Sequence, residues 1–342
     1  MLRLGLVGYG DGGRYFHSPF IEAAEGVQLV GIVTRSPSRI AAVKQEWPDI
    51  PIYPGLREMI EAGVDAVTIS TPPETRRELV LQAIEAGLHV IADKPFAPTA
   101  EGARELKLAA ERKGVILSVF HNRRCDADIR TLRKVIDSGR LGALWRVHSR
   151  MDLDNPQTIE PGPSGGVLRD LGSHLVDQML WLLGPVTSVF AQTDCVDLPE
   201  GSTDVGFTLT LRHKSGVSSH LSASKSNYLV AREFHVYAEL GSYVASGTDV
   251  QAKAIFNGKR PTDDPVTWGY EREEFWGHLR TERGDEMIPS EQGRYHDYYT
   301  AFAQAVKNGT EPPVAADEAI EVLKVLDAAA LSAAQGQVVK II

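Results

Sequence analysis

The sequence has little cysteine and no long apolar run, and both absences narrow the classes of protein to consider. The chain has two cysteines, Cys125 and Cys195, too few for a disulfide framework and not spaced as a metal-binding pair. No stretch approaches the ~18 consecutive apolar residues of a membrane span, and Met1 is not followed by a basic region and a long apolar segment. The sequence therefore predicts a cytoplasmic protein with no signal peptide and no membrane span.

The sequence also has fewer basic than acidic residues. Lysine and arginine together number 36 against 45 aspartates and glutamates, so the formal net charge is −9. A general nucleic-acid-binding protein needs a basic surface, and this excess of acid argues against one. Hydrophobic residues make up 43% of the 342 residues and charged residues 24%, which excludes a disordered or fibrous chain. The length predicts about two domains.

The first third of the chain alternates short apolar runs with amphipathic stretches. Strands are predicted at Leu2–Val7, Gln28–Val33, Ala66–Ser70, His89–Ala92 and Val115–Phe120. Glu74–Ala86 and Ala100–Arg112 have helical patterns, and Gly87 and Gly114 stand where those helices would end. Strands alternating with helices predict an α/β domain over residues 1–121, with the doubly wound parallel sheet of a Rossmann fold.

After about residue 125 the pattern changes. Helices are predicted at Asp126–Ser138, from about Ser173 to Leu183, and at Ala316–Ala334. Strand candidates follow one another without helices between them, at Ser188–Thr193, Val205–Leu211, Val217–Ser224, Phe234–Ala238 and Gln251–Phe256. Consecutive strands joined by turns predict an α+β domain over residues 122–342, with a largely antiparallel or mixed open sheet.

A glycine-rich loop comes directly after the first predicted strand. Gly8-Tyr9-Gly10-Asp11-Gly12-Gly13 satisfies the pattern G-x-G-x-x-G. Such a loop makes a tight turn, brings backbone amides close to a pyrophosphate and lets the next helix pack on the strand. A plain glycine-rich turn or a methyltransferase loop would share the pattern. The position between a strand and a helix favours a dinucleotide site formed by these six residues.

The end of the second strand indicates which nicotinamide dinucleotide is bound. An acidic residue there would hold the ribose 2′-hydroxyl of NAD, whereas this sequence has Thr34, Arg35 and Ser36. A guanidinium and two hydroxyls suit a 2′-phosphate. The sequence therefore predicts NADP(H), with NAD(H) as the alternative if Arg35 points to solvent.

Further segments carry groups suited to moving a proton. Asp93-Lys94-Pro95 follows a predicted strand, at the strand end where ligands bind in such sheets. Asp170 and His174 are four residues apart, so in a helix they share a face and the carboxylate can orient the imidazole. A surface lysine, an N-capping aspartate and a core histidine would explain the same residues.

Taken together and in order, these motifs resemble the Gfo/Idh/MocA oxidoreductases over essentially the whole chain. The resemblance is carried by the glycine loop, Thr71-Pro72, Lys94-Pro95, and Gly165-Gly166 followed by Asp170-x-x-x-His174. It is strongest to the NADP-dependent inositol-dehydrogenase-like subgroup, through residues 118–124, 170–174 and 288–290 with Tyr298-Tyr299.

The resemblance implies roles for individual residues. Lys94 matches the lysine that bonds the reacting oxygen, and Asp170 and His174 match the family's Asp and His, the latter a general acid or base. Cofactor contacts are also expected from Thr71, Pro72, Asp93 and Lys94, and substrate contacts from Asn122, Arg123, Asp154 and His174. Assembly into a homodimer or homotetramer through the open sheet is implied as well, with the second domain binding the substrate.

The implied reaction is hydride transfer between NADP(H) and a secondary hydroxyl or carbonyl of a sugar, inositol or related polyol. A histidine that titrates near neutral pH suits the proton transfer, and an ammonium stabilises the developing alkoxide. The redox step belongs to the nicotinamide, so no metal ion is expected. A non-catalytic cofactor-binding sensor is one alternative, and retention of Lys94, Asp170 and His174 argues against it. A reductase of a non-sugar compound, such as a dihydrodiol or a tetrapyrrole, is the other.

Some residues depart from the family pattern. Asp93 stands where glutamate is usual, Arg76 replaces a histidine, and Cys125 replaces an aromatic residue. Asp152–Glu160 lacks the arginine-rich pattern associated with the inositol enzymes, so inositol itself is not transferred as the substrate. His17, close after the glycine loop, is interpreted as packing between helix and sheet.

Overall fold

The computed structural model describes residues 1–162 and 165–341. Packing divides the chain into two compact units. The first consists of Met1–Cys125, Gln251–Trp268 and Arg294–Ile320, and the second of Asp126–Val250, Gly269–Gly293 and the chain from Glu321 onward. These units differ from the expected continuous ranges 1–121 and 122–342, because two later segments return to the first unit. Residues 163, 164 and 342 of the second range lie outside the described residues.

The first unit contains a six-stranded parallel sheet. Its strands are β1 (Leu2–Val7), β2 (Val27–Val33), β3 (Ile52–Tyr53), β4 (Ala66–Ile69), β5 (His89–Ala92) and β6 (Leu117–Val119). They lie in the order β3-β2-β1-β4-β5-β6, and every neighbouring pair is parallel. The chain moves outward from β1 first to one side and then to the other. This is the doubly wound order, so the predicted Rossmann fold is confirmed.

Helices connect these strands. They are α1 (Ser18–Glu22), α2 (Pro37–Glu46), α3 (Leu56–Glu61), α4 (Pro73–Glu85) and α5 (Ala100–Lys113), and a π-helical turn, Gly12–His17, precedes α1. Helix α5 begins after Thr99, whose Oγ1 accepts the Gly102 N–H, and ends at Gly114, which has a φ of 67°. Strands β1, β4 and β5 are almost wholly buried, as expected of a parallel sheet covered on both faces.

The second unit contains a nine-stranded sheet. Its strands are β7 (Leu144–Asp152), β8 (Val186–Leu198), β9 (Gly201–His213), β10 (Ser218–Ser224), β11 (Ala231–Ala238), β12 (Gly241–Ser246), β13 (Gly277–Thr281), β14 (Gly284–Ile288) and β15 (Val339–Lys340). The order is β14-β13-β12-β11-β7-β10-β9-β8-β15. Strands β7 and β10 are parallel and the other described neighbours are antiparallel. The predicted mixed open sheet is therefore confirmed.

The two faces of this sheet differ in character. The remaining helices of the chain are α6 (Ala127–Asp137), α7 (Gly166–Leu183), α8 (Val250–Phe256), α9 (His296–Asn308) and α10 (Ala316–Gln335). Helix α7 packs on the face formed by Phe207 and Leu209 of β9 and Leu221 of β10, all of which are buried. The opposite face carries polar side chains, including His148 and Arg150 of β7, which are half-buried.

Two expectations about secondary structure are corrected. Gln251–Phe256, predicted as a strand, is the helix α8 of the first unit, because its buried residues Gln251, Ala252 and Ile255 line one helical face. Helix α7 begins at Gly166 rather than near Ser173. Other elements were not predicted from the sequence at all, namely strands β3, β7, β12, β13, β14 and β15.

Candidate active site

Five neighbouring strands bring predicted site residues to one edge of the parallel sheet. Along that edge, Thr34 follows β2, Gly8 follows β1, Thr71 comes after β4, Asp93 and Lys94 follow β5, and Asn122 comes after β6. The strand ladder continues one step past the strands, since the Gly8 N–H donates to the Val33 carbonyl at 3.0 Å and the Ser70 N–H donates to that of Val7 at 2.9 Å. This is the carboxyl edge, at which α/β sheets bind ligands.

The glycine loop packs so tightly that two of its positions exclude a side chain. Gly8 has a φ of +102°, and a Cβ there would lie 2.2 Å from the Ser70 carbonyl oxygen. A Cβ on Gly13 would lie 2.1 Å from the carbonyl oxygen of Gly8. At Gly10 the space is open, and the nearest side-chain atom is Nη2 of Arg39, 3.5 Å from a Cβ position. The loop therefore brings its backbone against β4 while leaving Gly10 accessible.

Thr71 provides a test of whether a ligand fits beside this loop. Its Cγ2 lies 3.2 Å from the Cβ position of Gly8. Its Oγ1 is buried and has no hydrogen-bond partner among the described residues. Buried hydroxyls normally have a partner, so this one is suited to a bound group that carries hydrogen-bonding atoms. The dinucleotide expected from the sequence supplies such atoms, and the loop fits it.

The Tyr9 side chain belongs to the core rather than to the sheet edge. Its hydroxyl donates to Glu46 Oε2 at 2.7 Å and accepts from Trp47 Nε1 at 2.8 Å. Burial, together with the hydrogen bond to the Glu46 carboxylate, raises the pKa of Tyr9 well above its ordinary value. Only the backbone of Tyr9 is therefore left for a ligand, whereas Asp11 is exposed.

The end of β2 carries a cluster of cationic and hydroxyl groups. Thr34 is buried, and Arg35 is exposed and donates through Nε to the Pro54 carbonyl at 2.8 Å. Ser36 precedes α2, and Arg39, in the first turn of that helix, reaches Gly10. Arg39 was missed from the sequence, although its place one turn after Ser36 was the available signal.

Asp93 holds the start of the Lys94 loop. Its Oδ1 accepts the backbone N–H of Lys94 at 2.8 Å, and its Oδ2 accepts the Ser70 hydroxyl at 2.8 Å and lies 3.2 Å from His17 Nε2. Burial would raise the pKa of Asp93, but His17, Arg76 and Lys94 together hold that pKa well below its usual range. The carboxylate is therefore ionised and tied to its neighbours.

His17 lies in an aromatic cluster at the same edge. It is fully buried, its Nδ1 is 2.5 Å from the Tyr299 hydroxyl, and its ring centroid is 4.3 Å from that of Phe120. The Tyr298 hydroxyl lies 2.5 Å from Ser118 Oγ. Burial raises the pKa of both tyrosines, so both stay protonated. His17 thus combines packing with a polar link to Asp93.

Arg76 joins the loops that follow β4 and β5. It is 4% exposed, and its guanidinium donates to the Thr71 carbonyl at 2.5 Å and to the Pro95 carbonyl. The Lys94-Pro95 peptide is cis. One buried cation therefore fixes the spacing of the two loops that carry Thr71 and Lys94.

In the second unit, Asp170 and His174 lie one turn apart inside α7 and share a helical face. The helix is capped by Asp204 of β9, whose Oδ2 accepts the Leu168 N–H at 2.6 Å, so Asp170 is not the capping carboxylate. Burial raises the pKa of Asp204, against the lowering effect of these backbone bonds. His174 is buried, and Asp170 forms an ion pair with Lys225, which the sequence did not single out.

The predicted substrate residues are distributed over both units. Asn122 and Arg123 are buried in a 3-10 turn, Asn122–Cys125, of the first unit. Asp154 is exposed in the second unit, between β7 and the 3-10 turn Pro156–Thr158. In the part of the chain that the structure describes, no group of three or more His, Cys, Asp or Glu side chains is arranged to hold a metal ion. None of the helices in that part is both long and apolar enough to span a membrane.

Comparisons with known proteins identify the family of this chain. The family profile described as "Oxidoreductase family, NAD-binding Rossmann fold" matches residues 2–121, and that of the "GFO/IDH/MocA C-terminal domain" matches residues 129–244. The chain belongs to the Gfo/Idh/MocA family. A relative in Bacillus subtilis (strain 168), scyllo-inositol 2-dehydrogenase (NADP(+)) IolW, is 33% identical over 96% of this chain and 92% of its own length.

Other similar proteins cover the chain as fully. The 1,5-anhydro-D-fructose reductase of Ensifer adhaerens is 28% identical over 100% of this chain and 99% of its own. The solved structure of yvaA from Bacillus subtilis superposes with a TM-score of 0.90 at 32% identity, covering 99% of this chain and 100% of that one. YPO2259 from Yersinia pestis gives a TM-score of 0.89 at 30% identity, covering 100% and 97%. The predicted family is confirmed.

Proposed function

We propose that this chain is an NADP(H)-dependent oxidoreductase acting on a secondary hydroxyl, or the matching carbonyl, of an inositol, sugar or related polyol. The observation that carries the proposal is the meeting of the glycine loop, the unpartnered Thr71 hydroxyl and the Lys94 loop at one edge of the parallel sheet. The relative named as an NADP(+)-dependent inositol dehydrogenase supports it over 96% of the chain.

We infer the cofactor preference from the residues at the end of β2. Arg35 and Arg39 are exposed there beside Ser36, and Arg39 reaches the glycine loop. Two guanidinium groups and a hydroxyl suit a 2′-phosphate, which NADP has and NAD lacks. We therefore assign the loop Gly8–Gly13, the β2 end and Thr71-Pro72 to NADP(H).

The nicotinamide, when bound, accepts or donates the hydride, and side chains of the protein transfer the accompanying proton. Lys94 is assigned to the reacting oxygen, where its ammonium stabilises the alkoxide that forms as the hydroxyl loses its proton. His174 takes that proton during oxidation and returns it during reduction. Asp170 stabilises the imidazolium of His174 from the preceding helical turn.

Substrate recognition is assigned to the polar residues that the family resemblance implies. The amide of Asn122, the guanidinium of Arg123 and the carboxylate of Asp154 offer donors and acceptors for adjacent hydroxyls. The imidazole of His174 adds a contact at the reacting position. This set favours a polyol over an apolar substrate such as a dihydrodiol, whose ring offers fewer partners.

We also propose that the chain assembles as a homodimer or homotetramer through the polar face of the nine-stranded sheet. That face carries half-buried residues of three adjacent strands, His148, His220 and His235. Its mixture of Arg146 and Arg150 with Glu233 suits a face that pairs with its own copy. Light scattering of the purified protein measures the mass that tests this.

The first experiment measures binding and turnover separately. The protein is titrated with NADPH and NADH by nicotinamide fluorescence, and scyllo-inositol, sugars and 1,5-anhydro-D-fructose are then screened for a change in reduced-cofactor absorbance. We expect NADPH to bind more tightly than NADH, and Lys94→Ala and His174→Ala each to lower kcat by about 100- to 10,000-fold. The His174→Ala variant should still bind NADPH within a few-fold of the wild type.

Lys307→Ala is the matched control, because Lys307 is exposed on α9 and no ion pair is recorded for it among the described residues. Unchanged turnover in the Lys94 and His174 variants would contradict the proposed chemistry. Tight NADPH binding without turnover across the panel would instead favour a cofactor-binding sensor, and absence of binding would contradict the assignment of the glycine loop.

A further inference from the structure

Lys225 is a buried lysine at the end of a strand. It follows the last residue of β10, is 5% exposed, and its backbone N–H donates to the Val205 carbonyl at 3.1 Å. Lysine is seldom fully buried unless its charge is paired. The surroundings of this ammonium therefore indicate why a lysine stands there.

The Lys225 ammonium has three acceptors within the second unit. Its Nζ lies 2.5 Å from Asp170 Oδ2, and it donates to Thr158 Oγ1 at 2.9 Å and to the Thr158 carbonyl at 3.2 Å. An ammonium has three N–H donors, so these contacts account for all of them. The backbone adds a fourth link, because the Lys225 carbonyl accepts the Asn155 N–H at 3.2 Å.

These contacts join two parts of the chain that carry different proposed roles. Asp170 belongs to α7 and stands one turn before His174, the proposed acid or base. Asn155 and Thr158 follow Asp154, in the segment assigned to substrate recognition. Lys225 is thus the side chain through which the recognition segment and the Asp170 carboxylate are held together.

We propose that Lys225 is a positioning residue for the reaction. Its ammonium keeps the Asp170 carboxylate ionised and in one orientation, and it fixes the segment around Thr158 to α7. The inference rests on the proposed function for its effect on turnover, whereas the coupling of Lys225 to Asp170 does not. A cation at this distance favours the charged form of a carboxylate, which Asp170 needs in order to stabilise an imidazolium at His174.

A purely structural ion pair would behave differently. Replacing a buried ion pair by an apolar residue is often neutral for folding, although breaking it by removing one partner is costly. A structural role therefore predicts loss of thermal stability without a change in the pH dependence of turnover. A positioning role predicts that the pH profile itself moves.

The experiment compares four single variants with the wild-type protein, using the polyol that the wild type oxidises fastest. Lys225→Met removes the charge, Lys225→Arg keeps it, and Thr158→Val removes one hydrogen bond while leaving the ion pair. Lys214→Met is the matched control, because Lys214 is an exposed lysine of the same unit. The readouts are kcat, KM and the pH profile of kcat/KM.

We expect Lys225→Met to lower kcat/KM by about 10- to 100-fold and to move the acidic limb of the profile upward by about one pH unit. The direction follows because loss of the Lys225 cation favours the protonated forms of Asp170 and of His174, one helical turn away, so the proposed base takes up a proton at a higher pH. Lys225→Arg should restore most of the profile. Thr158→Val should raise KM while leaving kcat within about twofold.

A second arm needs no turnover. The Tm values of Lys225→Met, Asp170→Asn and the double variant form a cycle, and we expect the double variant to lose less than the sum of the two single losses. Additive losses, or a Lys225→Met profile within about twofold of the wild type at every pH, would overturn the proposal. If the wild type oxidised no polyol, the proposed function would fail, and the cycle would still decide whether Lys225 and Asp170 are coupled.

Discussion

The two sheets of this protein carry their polar side chains in different places. In the six-stranded parallel sheet the strands are covered on both faces, and polar groups such as Thr71, Asp93 and Lys94 appear where the strands end. In the nine-stranded mixed sheet one face is covered by α7, and the other presents polar side chains along the strands. The parallel sheet therefore presents its polar groups at its carboxyl edge, and the mixed sheet presents them on its uncovered face.

This difference determines what each region is sensitive to. At the edge, loops from separate strands must pass close together, so backbone conformation decides whether a ligand is held. Gly8 shows this, with its positive φ and its contact with Ser70. On the polar face of the nine-stranded sheet the strands are regularly spaced and the backbone is uniform. The response of this face to pH therefore depends on the charge of side chains such as His148.

The largest effect on ligand binding is expected from adding a methyl group at the carboxyl edge of the parallel sheet. Gly8→Ala places a Cβ 2.2 Å from the Ser70 carbonyl oxygen in a left-handed conformation, so the loop must shift. We expect NADPH affinity to fall by at least about 100-fold, or ~3 kcal/mol, when measured by fluorescence titration. Gly102→Ala is the matched control, because its Cβ would make ordinary contacts inside α5 and should leave affinity unchanged. If Gly8→Ala and the wild type bound NADPH with equal affinity, the carboxyl edge would tolerate a change of backbone conformation.

The edge could be predicted from the sequence because its signals are local. Strands β1 and β5 have the predicted limits, and Gly114 ends α5 where expected. The glycine loop and Lys94-Pro95 are continuous motifs next to these strands. Arg39 was missed because it lies outside any such motif, one helical turn after Ser36.

The face was less predictable because its signals are spread over distant strands. In β7 the covered side carries Ser149 between Val147 and Met151, which weakens the alternation that marks a strand. Lys225 pairs with Asp170, far from it in sequence, and nothing local indicates that contact. The short segment Gln251–Phe256 was predicted as a strand, whereas its buried residues Gln251, Ala252 and Ile255 follow the helical period.

A smaller effect at the edge separates the two cofactors. Removing a guanidinium from the 2′-phosphate contact should cost a charge-assisted hydrogen bond. We expect Arg39→Ala to weaken NADPH binding about 10- to 30-fold and NADH binding less than threefold, with Arg35→Ala acting in the same direction. Lys44→Ala, on the exposed side of α2, is the control. Equal weakening of both cofactors would mean that these arginines hold the shared part of the dinucleotide.

The smallest effect concerns the face and its histidine row, which is formed by His235, His148 and His220 in register on β11, β7 and β10. The His148 and His220 ring centroids are 4.7 Å apart. Burial, repulsion from neighbouring imidazoles and Arg146 lower the pKa of His148 below its ordinary 6.5, and burial and Arg146 lower that of His220.

Because the unfolded chain takes up these protons at a higher pH than the folded chain does, stability should be lost as pH falls below about 6.5. We expect the combined substitution of His148→Asn and His220→Asn to reduce the fall in Tm between pH 8 and pH 5 by about 2 °C. His278→Asn, at a half-buried position of β13 paired with Asp285, is the matched control. If the wild type and the double variant lost the same Tm between pH 8 and pH 5, protonation of these histidines would not destabilise the folded protein. The charge of the histidine row would then not determine the behaviour of this face.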